Sequence, residues 1–427
     1  MVLSAVLVIG GLIVLLALGT PMIVALTSAV SVGFLLSGQW ALGIPQSMVS
    51  GVSNFTLMAL PLFVLAGTLM NASGISTRLV DFARSLVGWL RGGLAQVNVL
   101  TSMFFGGMIG SSTADLAGTG SVIIPAMKRE KYSSEMAAAI TASSSGIGPL
   151  IPPSSPMILY SAITGTSLGA LFLAGLIPGL ILGALMMSLV AALAHLKGWS
   201  RSGAFSMHEV WATGRRAILP FGMPVIIVGG LVLGVFTPTE GASFAAVYAL
   251  MLATIIYRTL DFRGVYRVFA NAVQVTGELL VIVMLSFALG SSLANLHVPD
   301  AIAAMIETVA VVDSMYLRIA AIMLLAIIAG MFLDPLTPVF VPIILPTLIL
   351  YGIDTVHFGV LLVFAVVIGQ LTPPLAIALI ITGRIAECDQ LKIFKANLPF
   401  FLLILACMLA LIALPGLATW LPNYVRG

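Results

Sequence analysis

The sequence predicts an all-α polytopic membrane protein, built as two inverted repeats that each hold a re-entrant hairpin and a broken transmembrane helix. Composition is the first observation behind that prediction. Of 427 residues, 60% are hydrophobic and 8% charged, with a mean hydropathy of +1.18, whereas a soluble domain carries about 25% charged residues. The second is a stretch that is apolar yet full of helix breakers. Gly106, Gly107 and Gly110 run into Ser111, Ser112, Thr113 and Asp115, and Gly148-Pro149 precede Pro152-Pro153, Ser154, Ser155 and Pro156. Non-helical backbone at membrane depth persists only where protein buries it or where it lines a cavity. The third is recurrence. Pro125 and Pro346, Gly148 and Gly369, Pro152 and Pro373, and Pro153 and Pro374 are each 221 positions apart. Membrane helices tolerate single Gly and Pro residues, but four anchors in one register favour a duplication.

Taken in order, residues 2–18 and 22–37 read as helices separated by Gly19-Thr20-Pro21, each near the ~20 residues that span a bilayer. A loop with Trp40 and Pro45 leads to a helix over 56–70, ended by Asn71 and Gly74. In the next segment Arg78, Arg84 and Arg91 alternate with Leu79, Phe82, Leu86 and Trp89, a periodicity that suits an amphipathic helix lying in the interface. Residues 93–128 enter the membrane, meet the Gly-Ser-Thr interruption and leave at Lys128-Arg129-Glu130-Lys131. Basic residues at both ends put both ends in the cytoplasm, so the segment is a hairpin with its tip at 111–115. Residues 134–164 form a helix broken at 148–153. Residues 167–196 cross back, with Gly175, Gly179 and Gly183 spaced for close helix contact.

In the second half, spans at 218–235 and 242–257 flank Thr237-Pro238, and Arg258, Arg263 and Arg267 mark the cytoplasmic side. A span at 278–295 precedes a short helix over 299–312. The second hairpin, 317–351, has its tip at 334–338, and its flanks hold only Arg318, so it opens to the outside. The second broken helix, 355–383, returns to Arg384, Lys392 and Lys395, and 398–415 crosses last. The chain thus divides into scaffold helices and an interfacial arm (1–92), a first transport unit (93–165), scaffold (166–316), a second transport unit (317–385) and a last scaffold helix (386–427). Counting crossings puts both termini outside. Trp40, Trp89, Trp199, Trp211, Trp420 and Tyr424 fall near span ends, as an aromatic belt does.

Other classes are disfavoured. No Lys or Arg precedes Arg78, so the charged start of a signal peptide is missing. Cys388 and Cys407 are too few for a disulfide framework, and the four histidines lie far apart. Dispersed basic residues give no footprint for nucleic acid. Neither HExxH, GxSxG nor a Walker A pattern occurs, so no enzyme is expected.

The breaks have a chemistry. Pro152 and Pro153 cannot donate to the carbonyls of Gly148 and Pro149, and Pro373 and Pro374 likewise release those of Gly369 and Gln370. With the hydroxyls of Ser111, Ser112 and Thr113, such carbonyls make a hard oxygen cage for an alkali cation. Asp334 and Thr337 take the hydroxyls' place in the other half. Half-helices starting after Pro153 and Pro374 aim positive ends inward, favouring an anionic substrate. Ser154, Ser155 and Thr372 are the substrate-binding candidates there. An intramembrane acid costs about 2.5–3.5 kcal/mol on insertion scales, so Asp115 and Asp334 need a role. Asp115 reads as a cap for a hairpin half-helix; Asp334 reads equally as a cap or a ligand. Glu240 and Glu278 read as interfacial.

The runs GMIGSSTADLAG, SVIIPAMKREKY, IGPLIPPSSPMILY, FTPTEGAS, GMFLDP and IGQLTPP resemble the large, DctM-like membrane subunit of tripartite ATP-independent periplasmic (TRAP) transporters, over nearly the whole chain. That resemblance implies a sodium-driven elevator of the ion-transporter superfamily in the bacterial inner membrane. Such a protein takes up C4-dicarboxylates, sialic acid or other organic acids together with a small four-helix membrane subunit and a periplasmic substrate-binding protein. It also implies two or more sodium ions. One site falls on Gly110, Ser111, Ser112 and Thr113 with Gly148 and Pro149, the other on Asp334, Leu336 and Thr337 with Gly369 and Gln370. The chain departs from the family at Leu375-Ala376-Ile377-Ala378, where a polar Asn is usual, which leaves the second site more dependent on backbone carbonyls. The alternatives are a self-sufficient cation-coupled carboxylate carrier or Na+/H+-type antiporter of the same fold, and a non-transporting scaffold or channel subunit.

Overall fold

The computed structural model describes residues 2–38, 43–309 and 314–426, and within them the regular structure is helical, with no strand. Among the described residues six helices are long and apolar enough to cross a membrane: Phe55–Ala72, Leu168–Lys197, Met207–Val232, Pro238–Ile256, Phe262–Asn295 and Gln390–Ala413. Several helix starts follow from capping residues. Thr237 and Glu240 form a reciprocal capping box at the start of Pro238–Met251, Ser133 caps Ser134–Ser145 through the Met136 N–H, and Asp354 caps Thr355–Gln370 through the His357 N–H. Each satisfies amide donors that the first helical turn leaves unpaired.

Three differences from the sequence reading have simple causes. Pro45 lies in a helix, Gly43–Val52, not in a loop. It sits in the first turn, where a missing N–H costs nothing, and the helix packs on Phe262–Asn295 with Gly51 against the Phe287 ring. The span expected at 278–295 is the end of that 34-residue helix, about 51 Å long at 1.5 Å per residue. Beyond the last span a further helix, Gly416–Arg426, packs against Leu168–Lys197. Trp40 and the end of the short helix expected over 299–312 lie outside the described residues; the described part runs Val298–Val309.

Both hairpins and both breaks are present. The first hairpin pairs Gly93–Ile109 with Ser112–Asp115, a π-helical turn at Leu116–Gly120 and Ser121–Arg129. The second pairs Met315–Gly330 with Leu336–Leu350. The broken helices are Ser134–Ser145 with Ser155–Thr164, and Thr355–Gln370 with Ile377–Ala386. Thr355–Gln370 is the centre of this half of the molecule, buried continuously from His357 to Gly369. Each hairpin crosses its broken helix backbone to backbone. A Cβ on Gly106 would stand 2.9 Å from the Gly148 Cα, and one on Gly369 would stand 2.7 Å from the Gly330 carbonyl carbon and oxygen. Glycine is required at such crossings because no side chain can move aside.

Buried hydrogen bonds fix the same elements. Asn98 Nδ2 donates to Thr141 Oγ1 (2.6 Å), Ser102 Oγ to Ser144 Oγ (3.1 Å), and Ser143 Oγ to Asn397 Oδ1. Away from this cluster, Phe262–Asn295 packs on Met22–Leu36, Gly43–Val52, Ala59–Ala72 and Leu336–Leu350.

Candidate functional site

The first hairpin tip is set by Gly110, whose φ of +61° is the left-handed conformation that favours glycine. A Cβ there would stand 1.6 Å from the Pro153 carbonyl oxygen. The Gly110 carbonyl accepts the Ser155 N–H at 3.2 Å. The tip is therefore stitched to the start of half-helix Ser155–Thr164. Ser111, extended at φ −135°, turns its hydroxyl to Thr113 Oγ1 at 3.1 Å. The Ser112 hydroxyl is buried without a hydrogen-bond partner.

The second tip carries Asp334, whose Oδ1 accepts the Gln370 Nε2–H at 3.2 Å. Hairpin and broken helix are thus tied in this half too, by side chains. Asp334 does not cap Leu336–Leu350, whose capping position is Pro335. Nor is Asp115 a cap. It is buried behind the first tip, and its Oδ1 accepts the Thr119 hydroxyl at 2.7 Å from the next turn.

The breaks depart from the expected carbonyl arrangement. The Gly148 carbonyl accepts the Ile151 N–H (3.2 Å) and the Gly369 carbonyl accepts the Thr372 N–H (3.1 Å), so neither is free. The reason lies in register: the residue three positions after each glycine still has an N–H. For Pro149 and Gln370 the residues three and four positions on are both proline, so these two carbonyls lose both helical donors.

The two halves converge on one cavity of about 400 Å³. Ser111, Ser112 and Thr113 line it from the first tip, Asp334, Leu336 and Thr337 from the second, and Pro149, Ser155 and Gln370 from the breaks. Gly110, Gly148 and Gly369 stand behind it as backbone supports. Ser154 is buried as the cap of its half-helix, accepting the Met157 N–H, and Thr372 turns its hydroxyl back to the Ile368 carbonyl at 2.6 Å; neither lines the cavity. Nor do the helix-breaking prolines Pro152, Pro153, Pro373 and Pro374. A second space, of about 10 Å³, lies between Gly330, Asp334, Gln370 and Ala376, which is one water-sized sphere. The oxygens around both spaces belong to hydroxyl, carboxylate, amide and carbonyl groups, the donors that suit hard cations.

Sequence reasoning missed the remaining wall. Phe63, Thr68 and Asn71 of Ala59–Ala72, with Val275 and Leu279 of Phe262–Asn295, close the cavity. Thr68 and Asn71 stand three apart on one helix face, a signal hidden by their place at the end of an apolar run. Among the described residues no Lys, Arg or His lines the cavity. Half-helix Ser155–Thr164 begins at its wall and presents the positive end of its dipole.

Comparisons with known proteins place the chain in a family. Residues 9–417 match the family described as the DctM component of the tripartite ATP-independent periplasmic transporter. The sialic acid TRAP transporter large permease protein SiaM of Vibrio cholerae is 38% identical over 385 residues, 90% of each chain. The C4-dicarboxylate TRAP transporter large permease protein DctM of Pseudomonas aeruginosa is 34% identical over 374 residues, 87% of each chain. Among solved structures, the YdaH transporter of Alcanivorax borkumensis superposes with a TM-score of 0.56 over 88% of each chain, at 15% identity, a likeness of fold alone. The motifs, the polytopic helical fold and these relatives together make the chain a member of the DctM family, the large permease component of TRAP transporters.

Proposed function

We propose that this permease imports an organic acid such as a C4-dicarboxylate or sialic acid, coupled to sodium, by an elevator movement in the bacterial inner membrane. The observation that carries the proposal is the cavity itself, where both hairpin tips and both helix breaks bring hydroxyl, amide and carboxylate groups into one otherwise apolar space that, among the described residues, no basic side chain lines. The first cation site uses Ser111, Ser112, Thr113 and the Pro149 carbonyl, with Gly110 and Gly148 as backbone contributors. The second uses Asp334, Thr337 and the Gln370 carbonyl, with Leu336 and Gly369. The substrate lies between them. A periplasmic binding protein delivers it, and a small four-helix membrane subunit completes the assembly. In this reading the basic clusters face the cytoplasm and both termini the periplasm.

Helix boundaries support the duplication. Shifted by 221 positions, Gly93–Ile109 falls on 314–330 beside Met315–Gly330, and Ser155–Thr164 on 376–385 beside Ile377–Ala386. Leu168–Lys197 falls on 389–418 beside Gln390–Ala413. Packing favours a wider mobile unit than 93–165 with 317–385. Leu168–Lys197 packs on Gly93–Ile109 and Thr355–Gln370, and Gln390–Ala413 packs on Ser134–Ser145 and Thr355–Gln370. Both helices thus move with the hairpins, past a frame formed by the helices before residue 73 and those between 207 and 309. The interfacial segment around Arg84 and Arg91 meets its own chain, Arg84 at Glu130 (3.7 Å) and the Ser202 carbonyl (3.5 Å), and Arg91 at His195. The frame helices are therefore the better seat for the small subunit. Uptake of a panel of radiolabelled acids into proteoliposomes, with and without sodium and each partner protein, tests the reading. Sodium-independent uptake, or full uptake by this chain alone, overturns it.

A further inference from the structure

A second polar cavity has a lining of its own. It is a groove of about 410 Å³ lined by Gly74, Thr77, Arg78, Asp81, Thr213 and Arg216. It forms where the interfacial helix Ile75–Val87 packs on Met207–Pro224, and the Ser85 and Thr213 hydroxyls, 2.9 Å apart, join its two walls. Three helices mark a polar–apolar boundary at this level. Met207–Pro224 carries His208, Glu209, Arg215 and Arg216 and then turns apolar at Ala217. The span Pro238–Ile256 gives way to Tyr257 and Arg258. Ile75–Val87 buries Leu79, Val80 and Ala83 and leaves Thr77, Asp81 and Arg84 exposed. A groove at that boundary stands at headgroup depth.

Its arginines are set for a ligand. The Arg78 guanidinium lies 3.7 Å from the centroid of the Tyr257 ring, a stacking contact that orients its plane. Among the described residues no ion pair within 4.0 Å joins Asp81 to either arginine, and Arg216 is exposed. The groove holds two cations against one carboxylate, with two hydroxyls beside them. Planar guanidinium groups with neighbouring hydroxyls suit phosphate oxygens, and basic pockets between membrane helices receive lipid headgroups.

We infer that this groove binds the phosphodiester of a membrane phospholipid from the leaflet on the basic side of the protein. Arg78 and Arg216 hold the phosphate, and Thr77 and Thr213 border it. The test is native mass spectrometry of the purified full-length chain, released from micelles doped with dioleoyl-phosphatidylglycerol. The wild-type chain should keep one tightly held lipid. With each basic residue near a lipid surface worth roughly fivefold in affinity, R78Q/R216Q should hold it about thirtyfold more weakly. R78K/R216K should recover part of that loss, and R267Q, outside the groove, should bind as wild type. Glycerol 3-phosphate at millimolar concentration should not displace the lipid. Wild-type retention by R78Q/R216Q overturns the inference, whereas a folded R78K/R216K with partial retention sustains it even if the glutamine variant is unstable. Equal competition by glycerol 3-phosphate makes the ligand a soluble phosphate ester, and displacement by the small membrane subunit makes the groove a protein contact; either result refutes the lipid.

Discussion

Gly110→Ala tests whether the first hairpin tip is a cation site. The new Cβ would stand 1.6 Å from the Pro153 oxygen, where real contacts stay above 3.0 Å, so tip and break must part by about 1.4 Å. That displacement is several times the ±0.2 Å or so that metal–ligand distances tolerate. It also breaks the 3.2 Å bond from the Ser155 N–H to the Gly110 carbonyl. A non-glycine residue in the left-handed region costs a further ~1–2 kcal/mol. Gly165→Ala is the matched control, because Gly165 has φ +72° and nothing within 4 Å of its Cβ position. It carries the conformational penalty without the clash. In proteoliposomes with the partner proteins, the sodium concentration for half-maximal uptake should rise about tenfold or more for G110A, as a loss of 1.4 kcal/mol gives. It should stay at the wild-type value for G165A. If the two variants show the same sodium dependence, the tip does not hold the ion.

Asp334→Asn keeps the shape of the second tip and removes its charge, so the sodium requirement of uptake should rise at least tenfold, a charge-assisted contact being worth about 1.5–3 kcal/mol. Thr68→Val and Asn71→Leu should each weaken substrate binding about tenfold while leaving sodium affinity near wild type, since an unsatisfied polar contact costs roughly 1–3 kcal/mol; isothermal titration with a transported acid measures both. Gly369→Ala should lower thermal stability. Its Cβ would meet Gly330 backbone atoms at 2.7 Å, and overpacking costs about 1–3 kcal/mol; a melting temperature equal to wild type would contradict the crossing.

The helices and breaks were legible because glycine and proline act locally. Pro152-Pro153 and Pro373-Pro374 end helices whatever surrounds them, and the structure breaks at both. What the sequence hid depends on register or on distant contacts. The state of the Gly148 and Gly369 carbonyls turns on whether a donor survives three residues on, and it does at Ile151 and Thr372. Asp115 looked like a cap because it follows a hydroxyl cluster, but the π-helical turn after it brings Thr119 within 2.7 Å. Thr68 and Asn71 join the cavity only because Ala59–Ala72 packs beside the first hairpin, which no local pattern states. Helix Gly416–Arg426 escaped for a related reason, since its polar residues are balanced by packing on Leu168–Lys197.

Among the described residues no basic side chain lines the cavity, and this bears on coupling. A carboxylate moved out of water needs compensation, and an isolated buried charge is strongly disfavoured. Here the protein offers hydroxyls, amides and the N-terminal end of Ser155–Thr164, where a helix dipole contributes about 0.3–1 kcal/mol at exposed sites and up to ~2 kcal/mol in partly buried geometry. An arginine would supply the missing charge permanently and bind the acid whether or not ions were present. Hydroxyls and Asp334 do the opposite, attracting cations first. On the proposed reading the sodium ions are the counter-charge, so substrate affinity is conditional on their presence, and by linkage the substrate raises sodium affinity by the same factor. Coupling then needs no separate gate for recognition. It follows from a site whose anion binding is incomplete without its cations.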